Sequence, residues 1–355
     1  MAGYGFLRRV VRWMLMASAV LMAVSVVLIA GLRLLIANGM RIEGPAAIQE
    51  SGYVSIGGQR QWIELRGWNR ANPVLLWVHG GPGAPVISAS YSSFFPWEHQ
   101  FTVVHWHQRG AGLTYAVNAP QRLTIDTMVT DGIQAVEYVR SRLPDVPIIV
   151  VGHSWGSVLA MRMVQRRPDL FAAYVGTGQF TSLEDDGRDL FAAASARARR
   201  DSNESAARAL GAVAALPVAD VHRMDVVREW GRTEEVSDNP LLVYVGLLLS
   251  PGYPVHRVFS VTSGFAKSRA DLFDEELHVN MRRDVPELKV PAFLFQGRDD
   301  WQVSTPAALR YFEALKAPAK EIVLFDGGHM VAMLQSEAFL EALVEKVRPT
   351  ALKTR

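Results

Sequence analysis

The distribution of apolar positions divides the chain into segments of three kinds. Residues 13–32 form an uninterrupted apolar run without a charged side chain. From Tyr53 onward, short β-branched or aromatic runs alternate with segments whose apolar residues recur at helical spacing. Between about residues 181 and 286 only the helical pattern remains. This order predicts an α/β fold, with a mostly parallel sheet covered by helices on both faces and an inserted helical cap.

The predicted strands are short runs that end in polar or glycine-rich loops. Their bounds are 53–56, 61–65, 74–78, 101–106, 147–151, 172–175, 292–296 and 321–325. We therefore predict the following division: a cytoplasmic N-terminus at 1–12, a transmembrane helix at 13–32, a connector at 33–50, a first core part at 51–180, a helical cap at 181–286 and a second core part at 287–355. Within the cap, the apolar run Leu241–Leu249 is too short to span a membrane and predicts a buried helix.

The N-terminal apolar run is long enough to cross a bilayer. Its 20 residues give a helix of about 30 Å. Three arginines precede it and two follow, namely Arg8, Arg9, Arg12, Arg33 and Arg41. This excess predicts a single-pass anchor with its N-terminus in the cytoplasm and the body outside. A cleaved signal peptide is the alternative, although "LLIANG" offers Leu35 and Ala37 rather than two small residues as a cleavage site.

Composition excludes several classes of function. The formal net charge is +2, and no basic run is interleaved with aromatic residues, so we expect no nucleic-acid partner. The chain has no cysteine, which excludes disulfides, thiol catalysis and zinc–thiolate sites. We expect no cofactor and no metal, and a small ester, amide or peptide as the substrate. The oligomeric state stays open.

The segment "PIIVVGHSWGSVLAMRM" at 147–163 passes from a predicted strand directly into a predicted helix. A chain that bends so sharply needs small residues at the bend, and Gly152 and Gly156 supply them. Such a turn exposes the hydroxyl of the residue at its apex, Ser154. We therefore predict Ser154 as a nucleophile, the alternative being an ordinary serine in an exposed turn.

A nucleophilic serine needs a base and an acid that orients the base. Loops after two later predicted strands carry such groups, Asp299 and Asp300 in one and His329 in the next. We predict His329 as the base and Asp300 as the acid, with Asp299 as second choice. For the oxyanion hole we predict the backbone N–H groups of Trp155 and of Gly81, which belongs to the loop "HGGPG".

The motifs "HGGPG", "HQRGAG", "GHSWGS", "GRDD" and "GGH" resemble the signature set of the proline iminopeptidase-like α/β-hydrolases of peptidase family S33. The resemblance covers about residues 53–345. It implies the α/β-hydrolase fold, with Ser154 as nucleophile, Asp300 as acid, His329 as base, and Gly81 and Trp155 as oxyanion donors. The chain order serine, aspartate, histidine agrees with this family.

Two departures from the family pattern bear on specificity. His107 stands where the family usually has aspartate, which we expect to affect loop packing. The Trp-Glu segment that binds the substrate's free amine in true proline iminopeptidases is missing, and we interpret the acidic cap residues Glu204, Glu229, Glu234 and Glu235 as surface charges. We therefore expect an esterase or amidase that prefers neutral acyl groups. The alternatives are a proline iminopeptidase and a non-catalytic relative that acts as a binding protein.

Overall fold

The computed structural model describes residues 2–86, 91–231 and 240–353. The strands are β1 (Ile48–Ile56), β2 (Gln59–Gly67), β3 (Val74–Val78), β4 (Thr102–Trp106), β5 (Ile148–His153), β6 (Ala173–Thr177), β7 (Ala292–Gly297) and β8 (Lys320–Phe325). They form one eight-stranded sheet in the order β1-β2-β4-β3-β5-β6-β7-β8. Only β2 pairs antiparallel with its neighbours β1 and β4, and the other strand pairs are parallel.

The central strands are buried on both faces, which explains their uninterrupted apolar sequences. Along β3, Val74, Leu76 and Val78 belong to one hydrophobic cluster. Leu75 and Trp77, whose side chains alternate with them, belong to a second cluster on the other face. The sheet therefore lies between two layers of helices, and the predicted α/β class is confirmed.

The helices in the described part of the chain are α1 (Ala2–Gly39), α2 (Gly112–Tyr115), α3 (Ile125–Arg142), α4 (Gly156–Arg166), α5 (Leu183–Arg200), α6 (Glu204–Val213), α7 (Val221–Gly231), α8 (Pro240–Leu249), α9 (Phe259–Glu276), α10 (Met281–Asp284), α11 (Thr305–Ala314), α12 (Val331–Leu334), α13 (Ser336–Ala342) and α14 (Arg348–Lys353). A π-helical turn, Leu343–Val347, joins α13 to α14. Helices α5 to α10 lie between β6 and β7 in the chain, and we call them the cap.

Helix α1 is longer than the apolar run from which it was predicted. It continues to Gly39, and β1 begins at Ile48, so residues 40–47 of the predicted connector at 33–50 lie outside helix and strand. The apolar run ends before the charged residue Arg33, and the sequence pattern therefore predicts the end of the transmembrane helix at residue 32. In the structure Arg33 lies within the helix, and backbone carbonyls of the cap accept the hydrogen bonds of its guanidinium. The 30-residue segment Val10–Gly39 is long and apolar enough to cross a membrane.

Candidate active site

Ser154 occupies the sharp turn between β5 and α4. Its φ is 56°, in the left-handed region that residues with a side chain rarely adopt. The turn is held from the helix side, where the backbone N–H of Ser157 donates to the Ser154 carbonyl at 2.9 Å. Gly156 is required there because a Cβ would lie 2.2 Å from the Val78 carbonyl oxygen. The structure thus contains the strained strand–turn–helix junction that the sequence predicted.

The loop after β3 packs directly against this serine. A Cβ at Gly80 would lie 2.7 Å from the Cβ of Ser154, so only glycine fits at this position. Gly81, with φ of 118°, and Trp155, just before α4, line the same cavity as Ser154. The two predicted oxyanion donors and the predicted nucleophile are therefore brought to one cavity wall. The motif "HGGPG" predicted Gly81, whereas the contact of Gly80 with Ser154 was missed.

His329 follows β8 and also lines this cavity. Its Nδ1 lies 2.9 Å from Oδ2 of Asp300, whose side chain is fully buried. The neighbouring Asp299 is exposed, and its backbone N–H donates to the Gly327 carbonyl. Of the two aspartates between which the sequence left a choice, Asp300 is the one that contacts the histidine. This contact leaves Nε2 of His329 as the nitrogen available to a serine hydroxyl.

The Asp300 carboxylate is held by several donors from its own strand and loop. Its Oδ1 accepts the backbone N–H groups of Gln302 at 2.9 Å and Val303 at 3.0 Å. Its Oδ2 accepts the amide of Gln296 at 3.1 Å. These donors satisfy a buried anion and fix its orientation toward the imidazole. The sequence analysis did not predict the hydrogen bond between Gln296 and Asp300, because a glutamine within an apolar strand does not indicate which residue it contacts.

His153, the last residue of β5, supports the loop that carries His329. Its Nε2 donates to the His329 carbonyl at 3.2 Å, and the two ring centroids lie 4.9 Å apart. On its other side His153 stacks on Trp77 at 5.7 Å. Burial lowers the pKa of His153 to about 3, so its ring is neutral at physiological pH. This second histidine therefore acts as a neutral support, a contact that the sequence did not predict.

The cavity beside Ser154 has a volume of about 630 Å³. Much of its wall is apolar and comes from the cap, including Leu190, Val227, Val261 and Phe265. Five acidic or basic side chains of the cap also line it, namely Asp186, Arg223, Arg228, Arg269 and Glu276. The pocket is thus less uniformly apolar than the sequence predicted.

The carboxylates of the cavity wall were missed because they belong to helices that look like surface helices in the sequence. Burial raises the pKa of Glu276, while Arg269 and Arg228 act in the opposite sense. Burial also raises the pKa of Asp186 well above its usual value. The predicted surface residues Glu204 and Glu229 are exposed, and Glu234 and Glu235 lie outside the described residues.

The motif "HQRGAG" has a structural function in the fold. The guanidinium of Arg109 forms a buried ion pair with Asp131 at 2.7 Å. His107, which replaces the family's usual aspartate, accepts the backbone N–H of Leu113 through Nδ1 at 3.0 Å. Burial lowers the pKa of His107 well below its usual range, so it packs this loop as a neutral ring. Within the described residues, no cluster of three or more histidine, aspartate or glutamate side chains has metal-binding geometry.

Comparison with known proteins agrees with this architecture. A family model for the α/β hydrolase fold matches residues 73–335. The chain belongs to the α/β-hydrolase fold family. A Bacillus subtilis protein named probable aminopeptidase YbaC is 31% identical over 284 residues, which are 77% of this chain and 88% of that relative. The proline iminopeptidase of Neisseria gonorrhoeae is 29% identical over 130 residues, 37% of this chain and 40% of that enzyme. The resemblance of this chain to proline iminopeptidase-like hydrolases is confirmed. The chain is a serine hydrolase with the α/β-hydrolase fold.

Solved structures share the fold at low sequence identity. The proline iminopeptidase-related protein of Thermus thermophilus has a TM-score of 0.57 and 20% identity, covering 85% of this chain and 99% of that one. A bacterial membrane phospholipase A also has a TM-score of 0.57, at 17% identity, covering 98% of this chain and 96% of that one. These similarities establish the α/β-hydrolase fold alone.

Proposed function

We propose that this serine hydrolase cleaves a small ester or amide through an acyl-enzyme. Ser154 is the nucleophile, His329 the general base and Asp300 the acid that orients it. The backbone N–H groups of Gly81 and Trp155 stabilise the oxyanion. The observation that carries the proposal is the 2.9 Å contact between His329 Nδ1 and Asp300, made at the cavity that also contains the strained Ser154.

The reaction follows from these positions. Nε2 of His329 takes the proton of the Ser154 hydroxyl while Oγ attacks the substrate carbonyl carbon, and the carbonyl oxygen becomes an oxyanion. The intermediate collapses to the acyl-enzyme as the imidazolium gives its proton to the departing alcohol or amine. Water then attacks the acyl carbon and loses a proton to His329, and the imidazolium returns this proton to Ser154 Oγ as the bond between Oγ and the acyl carbon breaks and the acid is released. Asp300 holds Nδ1 protonated throughout and stabilises the positively charged ring.

The nucleophile is tested with a fluorophosphonate probe, which labels activated serines covalently. We expect one labelled peptide, containing Ser154, and no labelling of Ser154→Ala, whose turnover should fall by about 10⁴-fold or more. Ser202 provides a matched control because it is also a serine at positive φ, 52°, but lies exposed between α5 and α6. Ser202→Ala should label normally. Labelling that persists in Ser154→Ala would overturn the assignment, and failure of the unaltered chain to label would favour the non-catalytic alternative.

Release of N-terminal proline is a second candidate function. The presence of Glu276 on the cavity wall favours it, since a carboxylate there provides a partner for a substrate ammonium group. Relatives of this chain named proline iminopeptidase also support this candidate. A panel of proline arylamide, its N-acetylated form and short acyl esters separates the two candidates. A strong preference for the free amine identifies the peptidase.

We also propose that α1 anchors the protein in a membrane with the hydrolase domain on the extracytoplasmic side. The length and apolar character of Val10–Gly39 and the arginines before it support this orientation. The full-length protein should stay in the membrane fraction after extraction with alkaline carbonate. Soluble protein with an intact N-terminus would contradict an anchor. A mature N-terminus after residue 30 would instead identify a cleaved signal.

A further inference from the structure

Arg33 of the anchor helix forms hydrogen bonds to the cap. Nη1 of Arg33 donates to the carbonyl of Leu248 at 2.7 Å. Nη2 donates to the carbonyls of Tyr253 at 2.8 Å and Pro251 at 3.2 Å. These carbonyls lie at and just beyond the C-terminal end of α8, where helical carbonyls lack intrahelical partners and a cation is favourable. Arg33 therefore fixes α8 beside the end of α1.

Among the described residues, the last part of α1 is the part that packs against the rest of the protein. Its partly buried positions are Ile29, Arg33 and Ile36, whose spacing of four and three residues places them on one helical face. The described side chains before Ile29 are exposed. About 20 apolar residues cross the hydrocarbon core, and the uncharged run at residues 13–32, which has this length, ends directly before Arg33. The contact with α8 then lies at the membrane surface.

An apolar surface surrounds this contact. Val243 and Val245 of α8 are 39% and 40% exposed, Val255 is 47% exposed, and Phe259 at the start of α9 is 73% exposed. The rings of Tyr244 and Phe259 lie 6.2 Å apart, so the two helices contribute to one surface. We call Val243, Val245, Val255 and Phe259 the cap patch. Val243 itself also lines the cavity beside Ser154, together with Gly246, Val261 and Phe265 of the same two helices.

We propose that the cap patch rests on the bilayer that α1 crosses, and that the cavity receives acyl esters dissolved in that bilayer. The inference rests on the proposed anchor and hydrolase function. The membrane is the occupant because Arg33, at the end of the membrane-spanning segment, holds the C-terminal end of α8, the helix that carries Val243 and Val245. Burial of exposed aliphatic and aromatic side chains at the membrane interface is favourable. The substrate's acyl chain then passes between α8 and α9, which contribute to both the patch and the cavity wall.

The absence of cysteine allows a direct test with single fluorescent labels. Full-length Phe259→Cys, labelled with an environment-sensitive dye, is placed in phosphatidylcholine vesicles that contain a lipid with a nitroxide at the headgroup. The matched control is Glu313→Cys, because Glu313 is exposed on α11 after β7. The end of α1 contacts the opposite edge of the sheet, through Arg66 of β2 and the Met40 carbonyl. β7 lies five strands away from β2 in the sheet. At about 4.8 Å between neighbouring strands, the distance between β2 and β7 is about 24 Å.

We expect the nitroxide lipid to quench the label at 259 strongly and the label at 313 weakly. Equal weak quenching at both positions would overturn the proposal. A blue-shifted label at 259 without lipid quenching would also overturn it and would identify a protein partner, such as a second copy, on the patch.

A kinetic test separates this inference from the proposed function. Phe259→Ser should lower turnover of a long-chain acyl ester in vesicles several-fold, and Phe259→Leu should restore it. Turnover of a soluble acetyl ester should be unchanged in both variants, because Phe259 does not line the cavity. Equal loss on both esters, or no loss on either, contradicts the inference. If the unaltered protein is quenched at 259 but hydrolyses no soluble ester or amide, the proposed hydrolase function fails while the membrane contact stands.

Discussion

Gly178 and His329 are in contact across the ends of β6 and β8. A Cβ built on Gly178 would lie 2.8 Å from Cε1 and 3.0 Å from Nδ1 of the imidazole. The φ of Gly178 is 52°, so a larger residue would be strained even if the ring moved away. The backbone after β6 therefore limits where the histidine ring can lie relative to Asp300.

The contact between Gly178 and His329 predicts that a methyl group added at residue 178 lowers activity. Gly178→Ala should push the imidazole from its position and lower kcat by about 100-fold, the scale expected for a misplacement of about 1 Å. Steady-state kinetics and thermal unfolding measure the two consequences separately. Gly211→Ala in α6 is the control, because nothing lies within 4 Å of its added Cβ. That variant should keep full activity. An active Gly178→Ala would show that the ring tolerates the displacement.

The two neighbouring aspartates should differ sharply in their effect on catalysis. Asp300→Asn keeps the shape of the side chain but removes the anion beside His329 Nδ1. Turnover should fall by up to about 10⁴-fold, since the amide favours the wrong imidazole tautomer. Asp299→Asn should stay close to the unaltered rate because Asp299 is exposed. The reverse order of effects would transfer the role to Asp299.

The charges of the cavity wall predict a weak preference for free amines. Glu276 faces Arg269 and Arg228, which offset its charge, and burial raises the pKa of Asp186 so that it resists ionisation. Proline arylamide and its N-acetylated form should therefore have kcat/KM values within a few-fold of each other. A genuine ammonium site would separate them by about 10- to 150-fold, equivalent to the 1.5–3 kcal/mol of a charged hydrogen bond.

The variant Glu276→Gln shows whether Glu276 binds the ammonium group of the substrate. Glu229→Gln, at an exposed position, is the control. We expect neither variant to change the ratio between the two arylamides. A large preference for the free amine that Glu276→Gln alone abolishes would establish the aminopeptidase candidate.

Buried histidines predict how stability depends on pH. Burial lowers the pKa of His79 to about 4 and those of His105 and His153 to about 3. The unfolded chain binds protons at these histidines from about pH 6.5 downward, whereas the folded chain does not. Their contribution to the free energy of unfolding is therefore complete above about pH 6.5 and decreases as the pH falls toward 4.

The slope of the free energy of unfolding against pH tests this interpretation. His105→Gln should reduce the pH dependence of the free energy of unfolding by up to about 1.4 kcal/mol per pH unit between pH 6 and 4.5. Urea unfolding in detergent micelles at several pH values measures it. His278→Gln, which replaces an exposed histidine, is measured beside it as a control for the substitution itself. An unchanged slope in His105→Gln would mean that His105 gains its proton in the folded state as readily as in the unfolded chain.

Much of the architecture follows from local sequence, because each central strand is an apolar run and each is followed by a loop or helix of distinct composition. The turn at Ser154 was predictable for the same reason, since two glycines and a change of periodicity mark it. The choice between Asp299 and Asp300 could not be made locally. Adjacent residues point in different directions, and only the packed loop makes one of them buried.

Contacts between distant parts of the chain carry no local signal. Glu276 reads as a helix-surface charge, yet it lines the cavity because α9 packs against α2 and the loop before it. Arg33 reads as the end of an apolar helix, yet cap carbonyls more than 200 residues later satisfy its guanidinium. In both cases the tertiary partner decides how a charged residue is accommodated, and sequence periodicity cannot identify that partner.

Because of the left-handed backbone at residue 154, the serine that activity requires makes the protein less resistant to heat than a glycine would. A serine held at φ of 56° costs about 1–2 kcal/mol, a cost that glycine does not carry. Ser154→Gly should therefore raise the melting temperature by about 2 °C, whereas Ser154→Ala should not, and both should be inactive. Random mutagenesis followed by selection for heat resistance alone would enrich inactive proteins at this codon. Evolution toward a thermostable enzyme must gain its stability elsewhere in the molecule.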